Sequence, residues 1–156
     1  MSKTIKFLIS ISVCLIAGFI GSIATTPSIP TWYAALQKPV FNPPDWIFAP
    51  VWTTLFIFMG ISAYLIWNKS PGKGIKIALS IFGLQLILNS FWSIIFFGWH
   101  SILFAFVEML LLWFAILLTI IYFHRISRPA SYLLIPYLLW VSFAAVLNLS
   151  IFLLNR

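Results

Sequence analysis

The chain has 156 residues, of which 63% are hydrophobic and only 7% are charged, and its mean hydropathy is +1.11. A soluble domain of this length needs far more charge to cover its surface, so the composition excludes a soluble protein and predicts one membrane-embedded domain. The net charge of +7 comes from basic residues spread thinly between apolar runs. This pattern is typical of loop charges that orient a membrane protein, and it argues against a nucleic-acid partner.

Five apolar runs are long enough for membrane spans, each of which takes about 20 residues. The predicted fold class is therefore an all-α membrane protein, a five-transmembrane-helix bundle that forms a single domain over residues 1–156. We place the spans near residues 7–24, 46–67, 75–97, 101–123 and 129–153. Residues 77–107 carry no charge and are too many for one span, so Gly98 and His100 are expected to turn the chain between the third and fourth spans.

The first span has two interpretations. Lys3, Lys6, an apolar core and the sequence Ser22-Ile23-Ala24 also fit a secretory signal peptide. The apolar run is long for a signal peptide, and it contains two rows of small residues at four-residue spacing, which let helices approach closely in lipid. We therefore favour a retained helix whose small rows are Cys14, Gly18 and Ser22, and Ala17, Gly21 and Thr25.

A stiff aromatic segment precedes the second span. The stretch WYAALQKPVFNPPDWIFAPVWTTLF, residues 32–56, contains four prolines and three tryptophans. Proline fixes the backbone angle φ, so this loop loses less conformational entropy when it is ordered over a cavity. The segment is therefore predicted to form a rigid flap.

Polar side chains of the third span share one helical face. Gln85, Asn89 and Trp92 are spaced at i, i+4 and i+7, so this face is expected to point into the bundle, where an amide can find a partner. Two interpretations stay open at this point: hydrogen bonding between helices, or the lining of a ligand cavity.

The second and fifth spans carry groups that are expected to converge in the flap half of the bundle. Trp52 and Asn148 fall beside the flap end of their spans, and Trp140 lies near the middle of the fifth. An interfacial aromatic belt explains Trp46, Trp67 and Trp99, but it does not explain a tryptophan in mid-span. Pro136 is expected to kink the fifth span near its middle, and Ser142 leaves room beside Trp140.

Glu108 is the one acid inside a predicted span. An intramembrane ionisable group is a functional candidate by default. Three alternatives stay open for it: proton coupling, pairing with an amide, or a protonated carboxyl group.

Catalytic and metal-binding patterns are absent from the sequence. The single cysteine, Cys14, excludes an internal disulfide, and His100 and His124 lie far from it, so no metal site is expected. The two histidines also lie at span ends, which argues against a bis-histidine haem across the bundle. No Ser/His/Asp arrangement occurs.

Basic residues predict the orientation. Seven of the nine fall on one side of the predicted bundle, and only Lys38 and Arg156 fall on the other. The positive-inside rule then places the N-terminus in the cytoplasm of a multi-pass protein, with a bacterial cell membrane the best match.

Three segments together resemble the translocator protein family, also called the TspO/MBR or peripheral benzodiazepine receptor family. They are WYAALQKPVFNPPDWIFAPVWTTLF, QLILNSFWSIIFF and LLIPYLLWVSFAAVLNLSIFLLN. The resemblance implies a five-helix bundle, a homodimer in the lipid bilayer, and a pocket beneath the first loop for tetrapyrroles or other flat hydrophobic ligands. It implies no required cofactor, and protoporphyrin or haem is the expected ligand. The C-terminal segment lacks the tyrosine of the cholesterol motif of animal members, so cholesterol recognition is not expected.

The resemblance also implies roles for individual residues. Trp52 and Trp140 match pocket tryptophans that are linked in bacterial members to light- and oxygen-dependent porphyrin breakdown, and they are the candidate catalytic residues. Tyr33, Pro44 and Trp46 match the lid loop. The full set of expected ligand-binding residues is Trp32, Tyr33, Pro44, Trp46, Gln85, Asn89, Trp92, Ser142, Phe143 and Asn148.

Three functions remain open on the sequence alone. The first is tetrapyrrole binding with slow photo-oxidative degradation, in which Lys38 either meets a ligand carboxylate or serves as an interfacial anchor. The second is a small-molecule transporter with proton coupling through Glu108, although no internal repeat supports it. The third is tetrapyrrole signalling through a partner protein.

Overall fold

A computed structural model describes all 156 residues, Met1–Arg156, as a bundle of helices. The long helices are α1 (Lys3–Ser28), α2 (Phe48–Trp67), α3 (Lys73–Ser93) and α4 (Ile102–Ile126), and the last span consists of the short α5 (Arg128–Tyr132) and the long α6 (Ile135–Leu154). Five segments are long and apolar enough to cross a membrane, which confirms the predicted five-helix fold. We call the end that carries residues 34–44, 99–101 and the C-terminus the loop end, and the other end the basic end.

Helix α1 packs on α2 and α3 through its two rows of small residues. A Cβ atom added to Gly18 would lie 2.5 Å from the Phe56 ring of α2, and one added to Gly21 would lie 3.1 Å from the Ser93 hydroxyl of α3. Ser90 of α3 also donates a hydrogen bond to the Ala17 carbonyl at 2.9 Å. The close approach predicted from these rows is therefore confirmed, and each row faces a different neighbour.

Two π-helical turns lie together at the loop end. One, Ile29–Tyr33, continues α1, and the other, Ile94–Gly98, continues α3. The Ser28 hydroxyl joins them by donating to the Phe97 carbonyl at 2.7 Å. His100 then reverses the chain with a positive φ of 54°, which confirms the predicted turn. Wide turns of this kind often occur at functional sites.

The fifth span is interrupted closer to its start than the sequence predicted. The helix stops at Tyr132 and resumes at Ile135, so Pro136 occupies the first turn of α6, where its missing N–H removes no helical hydrogen bond. The expected kink at the middle of the span is wrong. Helix α6 is regular from Pro136 to Leu154, and it presents one continuous face to the rest of the bundle.

Candidate ligand-binding site

A cavity of about 390 Å³ lies in the loop-end half of the bundle. This volume falls within the range of about 300–1,000 Å³ that is usual for small-molecule sites. Helices α1, α2, α3 and α6 form its walls, and the two π-helical turns contribute Tyr33, Phe96 and Phe97. A smaller aromatic core around Phe96 and Phe97 borders the cavity at the loop end, and Trp92 packs against both this core and the main one.

Two tryptophans on different helices face this cavity. Trp52 of α2 contacts the Tyr137 ring at 6.2 Å between centroids, and Trp140 of α6 contacts Phe48 of α2 at 6.1 Å. The indole N–H of Trp140 is buried and has no hydrogen-bond partner. A buried donor without an acceptor costs free energy, so packing rather than a hydrogen bond holds the Trp140 indole in place.

Hydrogen bonds fix the third tryptophan of the cavity. The Trp92 indole N–H donates to Asn148 Oδ1 at 3.1 Å, and Asn148 Nδ2 donates to the Ile102 carbonyl at 2.9 Å. The Trp92 ring also stacks on Phe96, with centroids 5.2 Å apart. This wall is therefore rigid, because each polar atom that orients Trp92 has its own partner.

A polar chain crosses the bundle beneath the cavity. Asn89 Nδ2 donates to the Tyr137 hydroxyl at 2.8 Å, and this hydroxyl donates to Gln85 Oε1 at 2.9 Å. Gln85 Nε2 in turn contacts the Met59 sulfur at 3.8 Å. Asn89 therefore lines the cavity as well as joining helices, whereas Gln85 only joins helices. That the cavity takes a ligand remains a prediction.

The first loop is held in place by its own side chains. The Tyr33 hydroxyl donates to Asn42 Oδ1 at 3.1 Å. The Lys38 ammonium lies 4.6 Å from the Tyr33 ring centroid and donates to the Leu36 carbonyl at 3.2 Å. At the far end of the chain, Asn155 bonds both the N–H and the carbonyl of Gln37. Lys38 is therefore occupied within the loop and does not line the cavity.

Six of the twelve residues predicted from the sequence line the cavity. They are Tyr33, Trp52, Asn89, Trp92, Trp140 and Asn148. These residues come from four separate segments of the chain, so the fold brings them together as expected. Their roles toward a ligand remain predictions.

The other six residues lie outside the cavity lining. Trp32 stacks on the His100 ring at 4.4 Å, and Ser142 accepts a hydrogen bond from Trp113 at 2.8 Å. Phe143 forms a second layer behind Trp140, with 5.5 Å between ring centroids. The remaining three are Pro44, which is exposed, Trp46, whose side chain is 74% exposed as an interfacial aromatic should be, and the buried Gln85 described above.

The sequence reasoning missed the contributions of α1 and of the start of α2. A largely exposed row on α1, formed by Phe19, Ser22 and Thr26, lines the cavity. A similar row lines it from the second span, formed by Asp45 of the 3₁₀ turn Asp45–Ile47 and by Ala49 and Thr53 of α2. We call the opening between these rows the lateral slot. It faces the hydrocarbon side of the bundle, because its residues lie on the outward surfaces of two spans. The small residues of α1 are its only signal in the sequence, and they fit a packing surface equally well.

Glu108 lies apart from the cavity. It is only 6% exposed, and neither carboxylate oxygen has a hydrogen-bond partner. Pairing with an amide, one of the alternatives drawn from the sequence, is therefore wrong. No group of three or more His, Cys, Asp or Glu side chains lies close enough together to hold a metal ion.

Comparison with known proteins matches the same segments that build the cavity. The model of the TspO/MBR family matches residues 10–154. The tryptophan-rich protein TspO of Chlorobaculum tepidum is 46% identical over 160 residues, covering 99% of each chain, and that of Archaeoglobus fulgidus is 43% identical over 151 residues, covering 97% of each. The translocator protein of Bos taurus is 41% identical over 135 residues, which cover 85% of this chain and 80% of the bovine one. A five-span bundle with an aromatic cavity, matched over nearly its whole length, therefore belongs to the TspO/MBR family of membrane proteins.

Proposed function

We propose that the chain binds a tetrapyrrole such as protoporphyrin in the cavity between α1, α2, α3 and α6. The observation that carries this proposal is the aromatic lining, to which Trp52, Trp92 and Trp140 contribute from three different helices. A flat apolar macrocycle gains from stacking on such rings.

The lateral slot suggests the route of access. A porphyrin dissolves in lipid more readily than in water, and the slot faces the acyl chains. The proposed orientation places the N-terminus in the cytoplasm of a bacterial cell, so that the flap lies on the outer side, and it rests on the seven basic residues at the basic end. A homodimer also belongs to the proposal, on the strength of the family resemblance.

A slow oxidative reaction is the catalytic form of this proposal. Light excites the bound porphyrin. The macrocycle is then oxidised and dioxygen is reduced, and the indoles of Trp52 and Trp140 relay electrons from the macrocycle to dioxygen. A role in tetrapyrrole signalling needs only the binding step. The two forms differ in whether the ligand is consumed.

Replacing Trp140 by Phe should separate binding from photochemistry. Porphyrin should quench the tryptophan fluorescence of the purified wild-type protein saturably, and light with oxygen should bleach the Soret band. In Trp140→Phe this bleaching should slow about tenfold, because phenylalanine keeps a stacking face but lacks an oxidisable indole. Trp99→Phe is the matched control, since Trp99 is exposed and lies outside the cavity lining. Bleaching at the wild-type rate in Trp140→Phe would remove the catalytic role, and absence of saturable quenching in the wild type would remove the binding proposal.

Proton-coupled transport is a second candidate because Glu108 is buried without a partner. An unpaired carboxyl group inside a span is costly, and such groups mark proton relays in transporters. On the binding proposal, Glu108→Gln should keep its porphyrin affinity within about twofold, because Glu108 does not line the cavity. The same variant in liposomes tests transport. Uptake that follows an imposed pH gradient in the wild type and disappears in Glu108→Gln would favour the transporter over a binding protein.

A further inference from the structure

A second, smaller groove lies towards the basic end of the bundle. Its volume is about 140 Å³, which is below the usual range of small-molecule sites and suits part of one flexible chain. Ile9 and Val13 of α1 line one side, Leu79 and Phe82 of α3 line the other, and Trp67 of α2 lies between these helices. Both α1 residues are exposed on the surface of a span, so the groove opens to the acyl chains of the membrane.

Lysines border this groove on its basic side. Lys6 of α1 lies three residues before Ile9, so it is about one turn closer to the basic end on the same helix face. Lys76 of α3 stands in the same relation to Leu79. The Lys6 ammonium lies 5.8 Å from the Trp67 ring centroid and donates to the Trp67 carbonyl at 3.3 Å, which holds it beside the groove. An ammonium has three N–H donors, so Lys6 keeps two for a further acceptor.

No carboxylate of the chain lies near these lysines. The sequence has two acidic residues: Asp45, which precedes α2 at the loop end, and Glu108, which is buried in the first two turns of α4 from the loop end. Lys3 and Lys73 continue the two lysine rows by one more turn. Like charges gathered on neighbouring helices repel one another, and an anion between them relieves that repulsion.

We propose that this groove binds one anionic phospholipid, with an acyl chain along the apolar walls and the phosphate between Lys6 and Lys76. The apolar walls suit a hydrocarbon chain, and the cationic border suits an anionic headgroup. Basic clusters at the ends of spans attract anionic lipids in this way, and an indole such as that of Trp67 is favourable at headgroup level. The groove shares no lining residue with the loop-end cavity, so this inference does not rest on tetrapyrrole binding.

The test is native mass spectrometry of the full chain in a neutral detergent, titrated with phosphatidylglycerol or with phosphatidylcholine of the same acyl chains. The wild type should bind its first phosphatidylglycerol about tenfold more tightly than phosphatidylcholine. Lys6→Gln and Lys76→Gln should each weaken phosphatidylglycerol binding about fivefold, and both together about 25-fold, which is the usual contribution of a basic residue near anionic lipid. Phosphatidylcholine binding should stay within about twofold. Lys76 is exposed, so its replacement leaves the packing of the helices unchanged.

Arg125→Gln combined with Arg128→Gln is the matched control for charge. It removes two positive charges from the same end of the bundle, but from α4 and α5, which do not line the groove. Both lipids should bind this variant within about twofold of the wild type. If the arginine pair loses as much phosphatidylglycerol affinity as the lysine pair, the attraction belongs to the whole basic end, and the inference is overturned. Equal wild-type affinities for the two lipids would overturn it as well.

Val13→Trp tests the acyl-chain part of the site. Val13 lines the groove and is 49% exposed, so an indole there occupies the groove while every lysine is kept. Phosphatidylglycerol binding should weaken about tenfold, because the chain loses its apolar contacts. Ile16→Trp is the matched control, since Ile16 is exposed on the same helix and lines neither cavity. Full affinity in Val13→Trp would mean that the groove holds no acyl chain, which contradicts the inference and leaves the proposed tetrapyrrole binding untouched.

Discussion

Replacing Gly60 by alanine is expected to destabilise the bundle by about 2–4 kcal/mol, the cost of forcing extra volume into a close-packed interface. A Cβ atom on Gly60 of α2 would lie 2.7 Å from the Ile11 Cα and 3.1 Å from the Ile11 backbone nitrogen of α1. These are backbone atoms, so no side-chain rotation can relieve the contact and the two helices must separate. In lipid, where no hydrophobic driving force holds helices together, such close packing is a main source of their association.

Gly83→Ala provides the matched control for this substitution. Gly83 also lies inside a long helix, α3, but nothing would lie within 4 Å of its added Cβ. Alanine there should leave stability unchanged or raise it slightly, because alanine is the better helix former. The measurement is the loss of helical circular dichroism on heating both variants in the same detergent. Equal melting temperatures for Gly60→Ala and the wild type would contradict the close approach of α1 and α2.

Hydropathy is enough to predict the five spans, because an apolar run of about 20 residues satisfies its backbone hydrogen bonds in lipid by forming a helix. The ends of the spans were harder to place. The first span was expected near residues 7–24, but α1 begins at Lys3 and its π-helical turn extends to Tyr33, past Pro27 and Pro30. Proline commonly ends a helix, yet here Pro27 lies inside α1 and Pro30 in the wide turn, where Ser28 bonds to the neighbouring turn.

The candidate site was predictable where helical spacing sets a face and unpredictable where it depends on the neighbour. Asn89, Trp92 and Asn148 are cavity residues as their spacing and depth indicated. Gln85 shares the face of Asn89, but it lies one turn closer to the basic end, and its Oε1 accepts a hydrogen bond from the Tyr137 hydroxyl. The sequence carries no sign of this contact, because the partner is 52 residues away. The role of α1 was missed for the same reason, since a row of small residues fits equally well beside a helix or a cavity.

Replacing Ala144 by tryptophan is expected to weaken porphyrin binding by about 2 kcal/mol or more, which is roughly 30-fold in affinity. Ala144 lines the cavity on α6, one turn beyond Trp140. An indole in this position would occupy the volume in which the macrocycle is proposed to stack. Saturable quenching by protoporphyrin and light-dependent loss of its Soret band should disappear together, because both require the ligand inside the cavity.

The stability of Ala144→Trp should not fall with its affinity for porphyrin. Filling an apolar cavity adds packing contacts, so Ala144→Trp should melt at or above the wild-type temperature while it loses the ligand. Leu139→Trp is the matched control, since Leu139 lies on the same helix, is 64% exposed and does not line the cavity. It should bind porphyrin as the wild type does. Full binding by Ala144→Trp at an unchanged melting temperature would place the ligand elsewhere on the protein. A lowered melting temperature would mean that the volume beside Ala144 is already closed in the membrane, and that the flap and the four helices enclose less space than the structure gives them.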